Sequence, residues 1–303
     1  MELTQRTALL SVAVAFGLSA LKLAAGVATG SISVLASLAD SVLDLFASIL
    51  NFVAIRKASK PADLDHAYGH GKAESLAGLF QSLIVGASGV YLIVVAVRRL
   101  VHPVALEHEA VGLGVMAVSI IVTLALVGRM RRVVKKSGSV ALEADSLHYA
   151  TDVLTNLGVI VSLGLHRFFG LQIADPLVSL AIAAYVLHSA WAILRKSVDV
   201  LMDRQLPGPD IERIREIVAG FAPEIVGYHD LRTRSSGTQS FIELHLDIPG
   251  RQSFEQAHRI TERVVRALER AFPGALVTAH SDPFPNSDPH RLPEEHSASF
   301  QQS

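Results

Sequence analysis

Six long apolar segments, separated by short polar connections, occupy the first two thirds of the chain. They lie at about residues 7–29, 32–56, 75–98, 111–133, 141–168 and 172–201. A helix needs about 20 apolar residues to cross the hydrocarbon core of a bilayer, and each segment reaches that length. The hydropathy pattern therefore predicts an all-α bundle of six membrane-spanning helices.

The pattern changes after the turn at 207–209. The residues that follow carry isoleucines at helical spacing, and residues 241–248 alternate between apolar and polar side chains, as in a half-buried strand. The predicted order is helix, strand, strand, helix, strand, at about residues 210–221, 228–234, 241–248, 253–272 and 275–280. This αββαβ order is typical of a small α+β domain.

We therefore divide the chain into three parts. Residues 1–206 are predicted to form the transmembrane domain, and residues 207–284 the α+β domain, which lies in the cytosol. The tail at 285–303 is polar and rich in proline, without apolar periodicity, so we expect it to be disordered.

Composition supports a membrane protein and excludes some chemistry. The chain is 50% hydrophobic and 18% charged, against about 25% charged residues in ordinary soluble domains. Its net charge of −1 argues against an overall basic nucleic-acid binder. Because it has no cysteine, any metal site must be built from histidine and carboxylate side chains.

Basic residues predict the orientation. They cluster in the connections between segments two and three and between segments four and five: Arg56, Lys57, Lys60, Lys72, Arg129, Arg131, Arg132, Lys135 and Lys136. The positive-inside rule places both connections in the cytoplasm, and both termini with them. Arg98 and Arg99 fall on the opposite side, where they weaken this bias without reversing it.

Two pairs of ionisable residues lie inside the apolar segments. Asp40 and Asp44 belong to segment two, and His148 and Asp152 to segment five. A spacing of four puts both members of a pair on one helix face. Each ionisable group costs about 2.5 to 3.5 kcal/mol at membrane depth, so the pairs indicate a bound cation or proton. The alternative is a hydrogen-bonded contact between helices without a ligand. Serine or asparagine would form such a contact at a lower free-energy cost in the membrane.

The predicted cytosolic loop after segment two carries Asp63, His66 and His70, with Asp65 as a substitute ligand. Spacings of three and four suit chelation on a turn or at a helix start. Polar loops also contain such residues for solvation alone, so spacing by itself leaves both interpretations open.

Three features in combination resemble the cation diffusion facilitator family, in its bacterial zinc-exporting branch. They are the two buried pairs, the run HAYGHGKAES that begins at His66, and the run HDLRTRSSG that begins at His229. The resemblance covers about residues 5–283. It implies a homodimer in the cell inner membrane, with a metallochaperone-like cytosolic domain, that exports divalent metal in exchange for protons.

The resemblance also implies roles for particular residues. The four buried ligands would form the transport site, and the loop after segment two would bind zinc. The cytosolic domain would hold a two-metal cluster near the dimer interface, bridged by Asp282, with the ligands His229, His245, His258, His280 and Asp282. Lys72 and Asp203 would form a charge interlock between the two domains, although two solvated charges explain them equally well.

Zinc is the predicted metal because its tetrahedral sites accept nitrogen and oxygen ligands. The resemblance implies that histidine at position 148 indicates a preference for zinc or cadmium, and that aspartate there indicates a preference for manganese. The three carboxylates would also accept Fe(II), Mn(II), Co(II) or Cd(II). His148 is the first candidate for the proton carrier, since an imidazole changes protonation near neutral pH.

Other function classes fit less well. A membrane-anchored metal sensor would not need the buried pairs. An intramembrane metalloprotease would need an HExxH-type motif, and an ATP-driven pump a P-loop; the chain contains neither. A secondary transporter, which is not an enzyme, is the leading prediction.

Overall fold

A computed structural model describes residues 3–29, 32–101, 110–169, 171, 173–237, 239–284 and 298–299. The chain forms two compact units, Met1–Val198 and Asp199–Ser303. Each unit has its own apolar core, so the two are described separately.

The first unit is all helical, and its six helices confirm the predicted bundle. They are α1 (Leu3–Thr29), α2 (Ile32–Ala58), α3 (Lys72–Val101), α4 (Ala110–Ser137), α5 (Val140–Phe169) and α6 (Ala174–Leu201). By length and composition, Leu3–Ala28, Lys72–Val101 and Pro176–Leu201 are apolar enough to cross a membrane. α2 and α5 are the helices that carry the ionisable pairs.

Helix α5 lies between two apolar clusters. One cluster joins it to α1, α2 and α4 around Met130 and Leu142, and the other joins it to α3 and α6 around Val85 and Val186. Large apolar side chains such as Trp191 on α6 point outward, as expected where lipid replaces water. The central position of α5 places its ionisable residues inside the bundle.

The close packing of α3 against α5 and α6 explains why a glycine occupies position 78. A Cβ atom added at Gly78 of α3 would lie 2.8 Å from Cγ1 of Val140 and 3.0 Å from Oγ of Ser197. Any side chain there would therefore push α3 away from α5 and α6.

The second unit confirms the predicted αββαβ order. Its elements are α7 (Gly208–Ala219), β1 (Gly227–Ser236), β2 (Gln239–Pro249), α8 (Phe254–Ala271), β3 (Leu276–Phe284) and a short β4 (Ala298–Ser299). The sheet order is β3-β2-β1-β4, with β2 and β3 parallel and the other pairs antiparallel. β4 comes from the predicted tail; residues 285–297 and 300–303 lie outside the described residues, so the disorder expected there stays a prediction.

The helices of this unit cover one face of the sheet. Alternate residues of β2, Ile242, Leu244 and Leu246, pack with Ile260 and Val264 of α8 in the buried core. α8 begins at a capping box, in which Ser253 and Gln256 satisfy each other's backbone N–H groups. The intervening residues of β2, including His245, therefore belong to the opposite face.

Candidate metal sites

The first candidate site joins the middle of α2 to the first half of α5. Asp44, His148 and Asp152 each offer a ligand atom, and these atoms lie within 4.8 Å of one another. Nε2 of His148 lies 2.8 Å from Oδ1 of Asp44, a hydrogen-bond distance between the two helices. Asp40 lies one turn before Asp44 on α2, but its side chain is outside the described residues, so its role as fourth ligand stays a prediction.

A buried hydroxyl pair holds α2 and α5 together beside these ligands. Oγ of Ser48 and the hydroxyl of Tyr149 are 2.7 Å apart, and both side chains are buried. Ser48 follows Asp44 by one turn, and Tyr149 follows His148 directly. The contact fixes the relative position of the two helices where the ligands face each other.

Sequence reasoning missed Asp145, a buried carboxylate one turn before His148. It is 1% exposed, and the side chains of Ser11 on α1 and Asn51 on α2 face it. Among the described residues, neither carboxylate oxygen has a hydrogen-bond partner of normal geometry, and Nδ2 of Asn51 has none either. The i, i+3 spacing from His148 was the available signal, since it places Asp145 on the same helix face.

We expect Asp145→Asn to stabilise the protein against thermal unfolding. A buried polar group without a satisfactory partner costs about 1 to 3 kcal/mol, and the cost is higher when it is charged. An amide keeps the shape of the side chain, removes the charge and can donate to Ser11. The check is the unfolding temperature of the full chain in detergent.

Asp199→Asn is the matched control. It removes a partly exposed carboxylate of α6 that pairs with Arg204, so it makes the same chemical change without relieving a buried charge. It should leave the unfolding temperature unchanged or slightly lower. An Asp145→Asn protein that unfolds at a lower temperature than the control would contradict the interpretation of Asp145 as an energetic cost.

The second candidate site is the loop between α2 and α3. Ligand atoms of Asp63, His66 and His70 lie within 4.8 Å of one another. Oδ1 of Asp63 accepts the backbone N–H groups of His66 at 2.8 Å and Asp65 at 3.2 Å, and its Oδ2 lies 3.3 Å from Nε2 of His70. The hydrogen bond from the His66 backbone lowers the pKa of Asp63, which keeps this ligand ionised.

Two backbone contacts shape this loop. Nδ1 of His70, whose side chain is buried, lies 3.3 Å from the carbonyl oxygen of Pro61, so its other nitrogen faces Asp63. Gly69 adopts a left-handed conformation with φ of +79°, which glycine takes at little cost. Asp65 is not part of the ligand group found among the described residues; it contributes its backbone N–H to Asp63.

The third candidate site lies on the face of the sheet that the helices leave uncovered. The registers align His229 with His245 and His245 with His280, so three histidines cross three adjacent strands in a row. The carboxylate of Asp282 lies close to all three histidines. Its Oδ2 is 2.8 Å from Nδ1 of His245 and 3.3 Å from Nε2 of His229. Its Oδ1 is 3.4 Å from Nε2 of His280. The structure thus brings four of the five predicted cytosolic ligands together.

His258 does not join them within one chain. It lies on the exposed side of α8, where its ring stacks on Phe254 with centroids 6.4 Å apart. α8 packs on the sheet face opposite to His245, so the sheet separates His258 from the other predicted ligands.

Two further carboxylates of this site were missed. Asp247 is 3% exposed, and its Oδ1 lies 3.2 Å from Nδ1 of His229. Asp230 groups with His229 and His245. The alternation of β2 puts Asp247 on the same face as His245 and could have revealed it. Asp230 has φ of +53° at an irregularity of the β1–β2 pairing, which strand periodicity does not show.

Asp247 contacts His229 at the ring nitrogen that does not face the other ligands. A carboxylate on one ring nitrogen of a histidine orients the ring and leaves the other nitrogen for a metal. Here Nδ1 of His229 faces Asp247, and Nε2 faces Asp282.

The predicted charge interlock involves one residue from each unit. Lys72 is the first residue of α3. Asp203 has φ of +56°, and its Oδ1 accepts a hydrogen bond from Nη1 of Arg234 at 3.4 Å. Asp203 thus has a basic partner within its own unit, and the interlock with Lys72 stays a prediction.

Known proteins match both units. Residues 8–202 match the cation efflux transmembrane domain, and residues 206–284 match the cytoplasmic domain of cation efflux proteins. The cation-efflux pump FieF of Salmonella arizonae is 41% identical over 282 residues, which are 93% of each chain. The FieF pump of Salmonella schwarzengrund has the same identity and coverage.

Solved structures resemble the cytosolic part. The zinc form of CzrB is 40% identical and covers 28% of this chain and 98% of its own, with a TM-score of 0.25. The metal-bound C-terminal domain of the CzcD transporter from Thermotoga maritima is 26% identical and covers 26% of this chain and 93% of its own, with a TM-score of 0.25. The two domain matches and the extended identity with the FieF pumps show that this membrane protein belongs to the cation efflux family, also called cation diffusion facilitators, and is a cation efflux transporter.

Proposed function

We propose that this transporter exports zinc from the cytoplasm in exchange for protons. The observation that carries the proposal is the convergence of Asp44, His148 and Asp152 from two helices inside the bundle. Ionisable side chains at that depth are retained where they bind something. The proposal includes the inner membrane as location, with both termini in the cytoplasm.

The donor set favours zinc. One imidazole nitrogen with carboxylate oxygens matches the mixed ligands that tetrahedral zinc accepts, and Asp40 would complete the set of four. Among divalent ions, affinity at nitrogen and oxygen sites rises from manganese and iron towards zinc. Fe(II), Cd(II) and Mn(II) are the alternative substrates.

Proton exchange follows from the same atoms. Zinc requires an ionised Asp44 and a neutral His148, because a protonated imidazole has no free nitrogen for the metal. Nε2 of His148 and Oδ1 of Asp44 lie 2.8 Å apart, so a proton on the imidazole would balance the carboxylate. Metal and proton therefore exclude one another at His148, and a proton gradient can drive metal in the opposite direction.

The cytosolic cluster is proposed to bind zinc as a structural or regulatory ion. Its three histidines and Asp282 are ligands that zinc accepts, and Asp247 orients one of them. We further propose a homodimer, in which His258 could reach such a cluster only from the second copy. Metal shared in this way would add its binding free energy to association.

The test uses the purified full chain in sealed vesicles that contain a zinc-sensitive dye and a pH-sensitive dye. A pH step should drive zinc across the membrane with counterflow of protons, and a protonophore should abolish the accumulation. Zinc movement that is indifferent to the pH step would contradict the exchange. Absence of any metal flux would instead favour a sensor.

His148→Asp should shift the metal preference from zinc towards manganese. The change replaces the only nitrogen ligand of the described group with a hard oxygen, which favours manganese relative to zinc. The check is the ratio of zinc to manganese uptake rates in the same vesicles. We expect this ratio to fall by roughly 10-fold or more, since loss of a residue that only supports a metal ligand already costs about 10- to 100-fold in affinity or activity.

Zinc bound at the cytosolic cluster serves as an internal control for this variant. Its amount per chain should match that of the unmutated protein, because α5 does not belong to that unit. An unchanged uptake ratio would show that the residue at position 148 does not set the preference.

A further inference from the structure

A cavity of about 440 Å³ opens between α4, α5 and α6, and its lining does not include Asp44, His148 or Asp152. Two basic residues, Arg131 and Lys135, line it from the end of α4. Apolar residues line it as well, among them Leu147 of α5 and Ile193 of α6. The cavity thus combines a cationic part with an apolar part.

The described lining of this cavity carries more basic than acidic side chains. Arg131 and Lys135 are four residues apart, on one face of α4, and neither has an ion-pair partner within the part of the chain that the structure describes. The one acidic lining residue, Glu143, already pairs with Nζ of Lys196 at 2.7 Å. An anion that enters the cavity therefore meets two available cations.

Three of the α6 residues that line the cavity are polar. Tyr185, His188 and Ser189 line it at spacings of three and four, which place them on one helix face. Other outward positions of α6, such as Leu177 and Trp191, carry apolar or aromatic side chains that suit lipid tails. The hydroxyl groups of Tyr185 and Ser189 and the imidazole of His188 can donate hydrogen bonds to a ligand with acceptor oxygens.

We propose that the cavity binds an anionic phospholipid. The phosphate would lie between Arg131 and Lys135, where the guanidinium fork can donate two hydrogen bonds, and an acyl chain would follow Leu147 and Ile193. Basic pockets between transmembrane helices on the cytoplasmic side are suited to such head groups. The site is separate from metal exchange and does not depend on which metal is carried.

The test compares lipids on the delipidated full chain in neutral detergent. Dioleoylphosphatidylglycerol should raise the unfolding temperature by about 5 °C at saturation. Dioleoylphosphatidylcholine should give a much smaller shift, because its quaternary ammonium group cancels the charge of its phosphate. Sodium phosphate should leave the unfolding temperature unchanged, because it has no acyl chain. Native mass spectrometry should show the anionic lipid retained on the protein.

Two double variants test whether the stabilisation by lipid arises in this cavity. Arg131→Gln with Lys135→Gln should abolish the stabilisation and the retained lipid. Arg132→Gln with Lys136→Gln removes the same charge from the same turns of α4, outside the cavity lining, and should keep both. Arg131→Lys keeps the charge but not the fork, so it should keep part of the shift.

Three results would overturn the proposal. Equal loss in both double variants would show diffuse attraction to a basic surface. An equal shift with sodium phosphate alone would show a free anion site. Conversion of dimer to monomer by Arg131→Gln with Lys135→Gln, with the lipid still bound, would show a contact between copies of the chain.

Discussion

Zinc uptake into vesicles should fall at least about 100-fold when Asp44 is replaced by asparagine. Loss of a residue that only supports a metal ligand typically costs about 10- to 100-fold in affinity or activity, and Asp44 is proposed as a ligand itself. The variant also replaces the carboxylate that lies 2.8 Å from Nε2 of His148 with a neutral amide, so a proton on the imidazole loses its counter-charge. The measurement is the initial rate of zinc entry under a fixed pH step, with equal protein in each vesicle preparation.

Asp199→Asn is the control for this result. It also removes a carboxylate from a transmembrane helix, but one at the end of α6 that pairs with Arg204. Its zinc flux should stay close to that of the unmutated protein, because an exposed ion pair contributes about 0 to 1 kcal/mol. If a correctly folded Asp44→Asn protein took up zinc as fast as the unmutated protein, the α2–α5 group would not be the transport site.

The second large effect is expected for Asp282→Ala in the cytosolic unit. The carboxylate of Asp282 lies beside His229, His245 and His280, so its removal should abolish zinc binding at this site. In an Asp44→Asn background, zinc bound per chain should drop at limiting free zinc by the number of ions that the cluster holds. Elemental analysis of the full chain after equilibrium dialysis gives this number.

Two further substitutions test how the cluster is built. Asp247→Asn should weaken zinc binding by about 10- to 100-fold without abolishing it, since Asp247 only orients His229. Asp210→Ala, in the first turn of α7, should have no effect on bound zinc. If Asp282→Ala bound as much zinc as Asp210→Ala, the histidine row would be a structural feature without a metal.

The two proposals on metal can fail separately. Loss of transport in Asp44→Asn with full zinc content in the cytosolic unit would leave the cluster in place and limit the α2–α5 group to transport. Retained transport in Asp282→Ala would show that cytosolic zinc is not required for turnover. A regulatory role would then have to appear as a change in dimer geometry on metal loading.

Local patterns were sufficient for much of the fold. The six helices and the αββαβ order were predicted because hydropathy over 20 residues and strand alternation depend only on neighbours in the chain. The clustering of Asp44, His148 and Asp152 was also foreseeable, since spacing of four on two apolar segments leaves few other arrangements.

Residues whose role depends on long-range contacts were not predictable in the same way. Asp145 shares a helix face with His148, but its burial depends on contacts with α1 and α2. Asp247 gains its role from the register that brings His229 of β1 beside it. The placement of α8 on the opposite sheet face separates His258 from its predicted partners.

The sequence by itself determined the six helical segments of the first unit, the order of elements in the cytosolic domain, and most of the candidate ligands. These properties follow from hydrophobic periodicity and residue type, which act over one or a few helical turns. Tertiary structure alone decided which carboxylates are buried, which nitrogen of His229 faces Asp282, and where α4, α5 and α6 leave a basic cavity. Burial and pairing arise from elements far apart in the chain, so no local pattern encodes them.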